Sequence, residues 1–366
     1  MSVSVVGAGI SGLSIAHHLL ERGLGPVTVY ERTGIASGAS GIQPGGLRQQ
    51  WGTRANCLMA KESYAFYRDF GERFDPCGYL FVADEEETLV RLEAGLAVQH
   101  ELGIPSRLLT PAEAAEVVPG LDPAGVLGAA WCAEDGYFAR PQAVVETFAA
   151  RVGAAGGRIE LEGVRAPARD GAGWRLELAS GAGVTTDAVV VAAGAESRAL
   201  VAPLGFDLPI VEEPRTLFLS EPIRERLLEP LVIAIDRGLA AKQLADGRVL
   251  ASDLRGEGDP TVEQDRWRRR IHEQLELLLP ALQSVAFPII ATGSYDLTPD
   301  GQPIVDSLDD GLWVAAGFSG HGFMVAPSTG RLVADGIAGA VLPEWHTALR
   351  ADRFALRTPE AEAQVI

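Results

Sequence analysis

The residues of this chain best suited to chemistry are glycines set at fixed intervals. GAGISG, residues 7–12, spaces Gly7, Gly9 and Gly12 as G-x-G-x-x-G, and a carboxylate, Glu31, follows nineteen residues after the last of them. Gly7 permits a tight turn, Gly9 lets the backbone approach a pyrophosphate, and Gly12 lets a helix pack closely on a strand. Ile10 and Ser11 stand between them at the start of a predicted helix, whose free N–H groups and positive dipole suit phosphate. Glu31, with Arg32 next to it, is placed to accept hydrogen bonds from an adenosine ribose. The chemistry is dinucleotide binding, and the motif by itself leaves NAD and FAD both open.

A second cluster lies far down the chain. GFSGHGFMVAPSTGR, residues 317–331, sets Gly317, Gly320 and Gly322 where side chains would keep a backbone away from a flat ring. Phe323 and Met324 follow, and Pro327-Ser328 is expected to begin a helix, since proline suits a first turn. His321 is a candidate for contact with a cofactor or substrate edge, or for satisfying backbone carbonyls within the loop.

Regular elements must position these residues. SVSVV (2–6) reads as a β-branched strand, LSIAHHLLERG as a helix, and VTVYER (27–32) as a second strand ending in the acid. His17 and His18 fall inside the helix and are expected to pack rather than to ligate. TTDAVVVAAGAES (185–197) reads as a buried strand ending in small residues. In the middle, GYLFVAD (78–84) is a predicted strand, 85–103 a helix and 110–121 a short capped helix with a turn. Segments 126–141 and about 214–255 supply further sheet, and 141–157 reads as a helix returning to the nucleotide-binding part.

Composition excludes several classes. The 366 residues carry a net charge of −18, with no basic stripe to displace counterions from phosphates, so nucleic acid is not an expected partner. The WRRRIH run (267–272) is expected to be the solvated face of a helix. Three scattered cysteines, Cys57, Cys77 and Cys132, are too few for a disulfide framework or a Cys-rich metal site, and a reducing cytoplasm is the expected location. No metal is expected. The N-terminal strand is not read as a signal peptide, and no stretch approaches the ~18 apolar residues of a membrane span.

Taken together, GAGISG with VYER, GASGIQPGGLRQQW (38–51), VVVAAGAES, TGSYDLTPDGQPIVD (292–306) and GFSGHGFMVAPSTGR resemble the FAD-dependent D-amino acid oxidase, glycine oxidase and sarcosine oxidase superfamily. The resemblance implies an α/β fold with a Rossmann-like FAD-binding domain, expected over 1–77, 139–212 and 288–366. A second, discontinuous α+β substrate domain is expected over 78–138 and 213–287. It also implies that Ser40, Gly46, Leu47, Ala193 and Gly194 join the glycines in holding FAD, and that the C-terminal glycine stretch cradles the isoalloxazine ring.

The implied reaction is oxidation of a C–N bond in an amino acid or related amine, by hydride transfer to flavin and hydrolysis of the imine, with oxygen or another acceptor regenerating the cofactor. Arg48 falls where a sarcosine oxidase-like arginine would clamp a carboxylate, the alternative being an arginine bound to flavin or to a neighbouring acid. Tyr295 is a candidate for the pocket or for a sheet aromatic, and Lys242, one of only two lysines, is read either as a surface lysine or as assisting oxygen reduction. Two departures stand out. Gly293 replaces a flavin-tethering cysteine, so FAD is expected to be noncovalent, and Met324 replaces a carboxylate-binding lysine, which argues against sarcosine itself. A flavin monooxygenase and a noncatalytic FAD-binding subunit are the competing readings.

Overall fold

The computed structural model describes residues 1–356 and 359–364. Its first large sheet has six strands, in the order Ile304–Asp309, Leu312–Ala316, Ala188–Val191, Val3–Val6, Val27–Tyr30 and Arg158–Glu160. Val3–Val6 lies at the centre, parallel to both neighbours, with Val5 opposite Val190 on one side and Val29 on the other. All four of its residues are buried, because helices or further strands cover both faces of such a sheet, and Val3, Val5 and Val6 place apolar side chains on both.

The Ile10–Glu21 helix packs against the sheet and against the Gly322–Ile337 helix. Their close approach depends on Gly330, where a Cβ would lie 2.6 Å from Ser14 Oγ; the Ser14 hydroxyl instead donates to the Ala326 carbonyl at 2.8 Å. His17 and His18 are buried in this layer beside Phe66 and Phe148, a packing role.

The second large sheet has eight strands, ordered Ile289–Leu297, Val211–Leu219, Val249–Asp253, Leu239–Gln243, Leu231–Ala234, Tyr79–Ala83, Gly128–Cys132 and Arg107–Leu109. The Pro260–Leu278 helix backs it with Trp267, Ile271, Leu275 and Leu278, a helical stripe in which the arginines of the basic run alternate with buried anchors. The short Pro111–Val117 helix starts with a capping box between Thr110 and Glu113.

Two features differ from the sequence reading. The Ile289–Leu297 strand, inside the segment expected to belong to the nucleotide-binding domain, pairs along its whole length with Val211–Leu219 in the eight-stranded sheet. The last long helix begins at Gly322 rather than at Pro327, so the proline lies inside it. Pro327 removes the N–H that would bond to the Phe323 carbonyl. Tyr67 Oη donates to that carbonyl at 2.8 Å and makes the early start tolerable.

Candidate active site

A cavity of about 700 Å³ is lined by residues of both large sheets. At one end, Gly7 turns the chain with φ +110°, and a Cβ there would stand 2.4 Å from the Ala192 carbonyl oxygen. At Gly12 a Cβ would stand 2.0 Å from the Gly7 carbonyl oxygen, so the glycine spacing is required by the backbone itself. Gly9 caps the first helix without a side-chain hydrogen bond, and Gly9, Ile10 and Ser11 line the cavity. Ser40 Oγ accepts the Ile10 N–H at 3.0 Å.

Glu31 also lines this end. Its carboxylate accepts the N–H groups of Ala8 and Thr33, each at 2.9 Å, joining the glycine turn to the second strand. Burial pushes that carboxyl up, but the bonds from Thr33, Ala8 and Gly34 outweigh it and hold it below its ordinary range. Arg32 pairs with Glu196 at 2.6 Å, and Ala193 and Gly194 complete the wall.

Further along, Gly320, Gly322 and Phe323 line the cavity at the start of the last long helix. Two helix N-termini therefore open on one space, which suits a group carrying a pyrophosphate at one end and an electron-rich ring at the other. A Cβ on Gly320 would meet the Tyr295 ring at 2.3 Å, so the loop lies flat beneath that aromatic. The glycines, the acid and the two helix ends fit FAD.

The eight-stranded sheet supplies the facing wall. Tyr295 lines it, as do Leu217, Leu231 and Leu250, with Tyr137 reaching the cavity from the small sheet formed by Gly46–Leu47, Gly136–Phe138 and Phe74–Asp75, and Arg215 is the one arginine on this side among the described residues. Arg215 lies 5.3 Å over the Tyr295 ring and pairs with Glu213. Register places Arg215 opposite Gly293, whose nearest neighbour at the Cβ position is Ile42.

Several residues singled out from the sequence lie elsewhere. Arg48 is fully buried outside the cavity lining, 3.6 Å over the Trp51 ring, donating to the carbonyls of Gln50 and Gln364. Burial lowers its guanidinium to about 10, against the pull of Glu362. Arg48, expected to clamp a carboxylate, is not among the residues that line this cavity, and two of its nitrogens serve backbone carbonyls.

His321 Nε2 stands 3.4 Å from Arg48 Nη2, and its ring meets Trp51 edge-on. Burial, then Arg48, holds that imidazole far below its usual range, so it is neutral and sits behind the loop. Lys242 is buried and bonds to Cys77 Sγ at 2.9 Å and to the Glu229 carbonyl. The Tyr137 ring, 5.3 Å away, lines the cavity where Lys242 does not.

Gly46 makes room for Tyr79, whose Oη would stand 1.9 Å from a Cβ there, and Leu47 is core. Met324 packs on Gly46, and Gly317 donates its N–H to Asp296. Among the described residues no group of side chains is arranged to hold a metal ion, and no helix is long and apolar enough to cross a membrane.

Sequence reasoning passed over Arg215 and Asp296, both of which line the cavity. An arginine in EEPRTLF carries no local signal. Asp296 lay within TGSYDLTPD, and its position immediately after Tyr295 was the available hint.

Comparison with known proteins agrees with this geometry. The DAO family, FAD dependent oxidoreductase, matches residues 2–336. FAD-dependent oxidoreductase domain-containing protein 1 of Xenopus laevis is 27% identical, over 91% of this chain and 78% of its own length. Glycine oxidase of Geobacillus kaustophilus is 26% identical, over 91% of this chain and 92% of its own. Among solved structures, L-proline dehydrogenase from P. horikoshii superimposes with a TM-score of 0.88 at 29% identity, covering 97% of each chain.

Proposed function

The chain belongs to the DAO family of FAD dependent oxidoreductases, and on that premise we propose that it oxidises the C–N bond of an amino acid or related amine bearing a carboxylate. The supporting observation is Arg215, a cation on the cavity wall facing the glycine loop, with Tyr295 beneath it and leucines around it. Its guanidinium offers a planar fork to a substrate carboxylate, exchanging Glu213 for the ligand. Leu217, Leu231 and Leu250 favour an apolar substituent and exclude water from the reacting carbon.

Bound FAD supplies the two-electron acceptor for this chemistry. The protein's part is orientation: the carboxylate is fixed at one end, so that the α-carbon is presented over the loop. As the α-hydrogen leaves, the amine lone pair forms the imine, which water hydrolyses. Arg48 and His321 are proposed to support the loop from behind, and Lys242 to brace Tyr137. Oxygen or another acceptor completes the cycle, and three free thiols support a reducing, cytoplasmic setting.

An anaerobic bleaching screen over amino acids and N-methyl amines tests the reading. Carboxylated amines with apolar side chains should bleach the yellow protein, and their decarboxylated analogues should not. A flavoprotein that no amine bleaches would overturn it.

A further inference from the structure

The loop at 317–320 is shaped from outside by the end of the Ile289–Leu297 strand. Asp296 Oδ2 accepts the Gly317 N–H at 2.7 Å, and the Asp296 carbonyl accepts the Ser319 N–H at 3.0 Å. Thr298 Cγ2 would stand 2.5 Å from a Cβ on Gly317, and Tyr295 covers Gly320. The loop needs such support, because Gly317, Ser319 and Gly320 have φ of +70°, +50° and +86°, and Ser319 is not glycine. Asp296 also lines the cavity, on which the start of the last long helix opens.

We propose that Asp296 is a positioning residue for the cofactor, holding the loop in shape while its negative charge on the cavity wall keeps the reduction potential of bound flavin low. Reduction brings negative charge into the cavity, and a like charge across a poorly solvated gap opposes it. Burial pushes the Asp296 carboxyl up to about 6, against the hydrogen bonds from the loop, so the group is ionised at neutral pH yet ready to take a proton.

Its charged surroundings leave this effect exposed. The paired strand Val211–Leu219 presents Glu212, opposite Asp296 in register, and the Glu213–Arg215 pair. The Gly194–Glu196 turn presents Glu196, already bound to Arg32, and the Ala39–Ile42 turn presents no titratable group. Behind the loop stand neutral His321 and the buried Arg48.

Potentiometric reduction of the purified holoenzyme by dithionite tests the charge without any amine substrate, so it stands or falls apart from the proposed reaction. Asp296→Asn keeps an oxygen for the Gly317 N–H and should have a more positive potential than wild type at neutral pH. The wild-type potential should climb toward that of the variant once the pH falls below about 6, a step the variant lacks. Asp296→Ala, which loses the acceptor too, should weaken FAD binding roughly tenfold, read from the fluorescence of released flavin. Equal potentials at neutral pH in wild type and Asp296→Asn would overturn the charge role, and unchanged FAD affinity in Asp296→Ala would overturn the loop role. If the alanine variant does not fold, the asparagine variant still decides the first.

Discussion

Tyr67 donates its hydroxyl hydrogen to the Phe323 carbonyl at 2.8 Å, the carbonyl that Pro327 leaves without a helical donor. The bond joins two segments 256 residues apart and lets the helix begin at the cavity edge instead of five residues later. A carbonyl buried without a donor would be costly.

Tyr67→Phe keeps the ring that stacks on Phe323 at 5.7 Å and removes only the hydrogen bond, so it should cost about 1–3 kcal/mol. Pro327→Ala restores an N–H able to serve the same carbonyl. The cost of Tyr67→Phe should therefore shrink in the Pro327→Ala background, as denaturant titration of the four proteins would show. An equal cost in both backgrounds would mean that the proline does not set the need for Tyr67.

Arg48 and Arg215 should respond to alanine in opposite ways. Arg48 is enclosed and its donors serve two carbonyls, so its removal should lower stability by about 1–3 kcal/mol for each carbonyl left unpaired. The Arg215 side chain is 25% exposed and its partner 38%, so its loss should cost only about 0–1 kcal/mol of stability. Arg215→Ala should instead cut kcat/KM for a carboxylated amine by an amount equivalent to about 2–5 kcal/mol. Steady-state kinetics beside thermal unfolding separates the two, and an unaltered kcat/KM in Arg215→Ala would remove it as the carboxylate partner.

What was legible in the sequence was what is local. Gly7, Gly9, Gly12 and Glu31 sit in one strand–helix–strand unit whose spacing carries its own geometry. The start of the last helix was misread because Pro327 resembles a first-turn proline, and the tyrosine that compensates is remote in the chain. The burial of Arg48 was not legible, since the Gln364 carbonyl it bonds lies 316 residues away. Arg215 acquires its place only through the register that sets it opposite Gly293.

FAD should be held without a covalent bond. No cysteine or histidine lines the cavity among the described residues, and Gly293 faces Ile42 across ordinary van der Waals contact. Acid precipitation should leave all yellow colour in the supernatant; flavin that stays with the pellet would contradict this.

Asp135 should impose a pH dependence on stability. It is fully buried, accepting the Gln49 N–H at 2.8 Å and a Gln50 Nε2 hydrogen at 3.0 Å. Burial pushes its carboxyl from the ordinary 3.8 to about 7, against the pull of those bonds and of Arg48. Between these values the folded chain holds a proton that the unfolded chain has released, so stability should fall as pH rises toward about 7 and then level off. Asp135→Asn removes the charge and keeps an oxygen to accept the Gln49 N–H. Urea midpoints measured on either side of that pH should therefore differ less in Asp135→Asn than in wild type. If both proteins show the same decline, the proton is held by another group and Asp135 is ionised throughout.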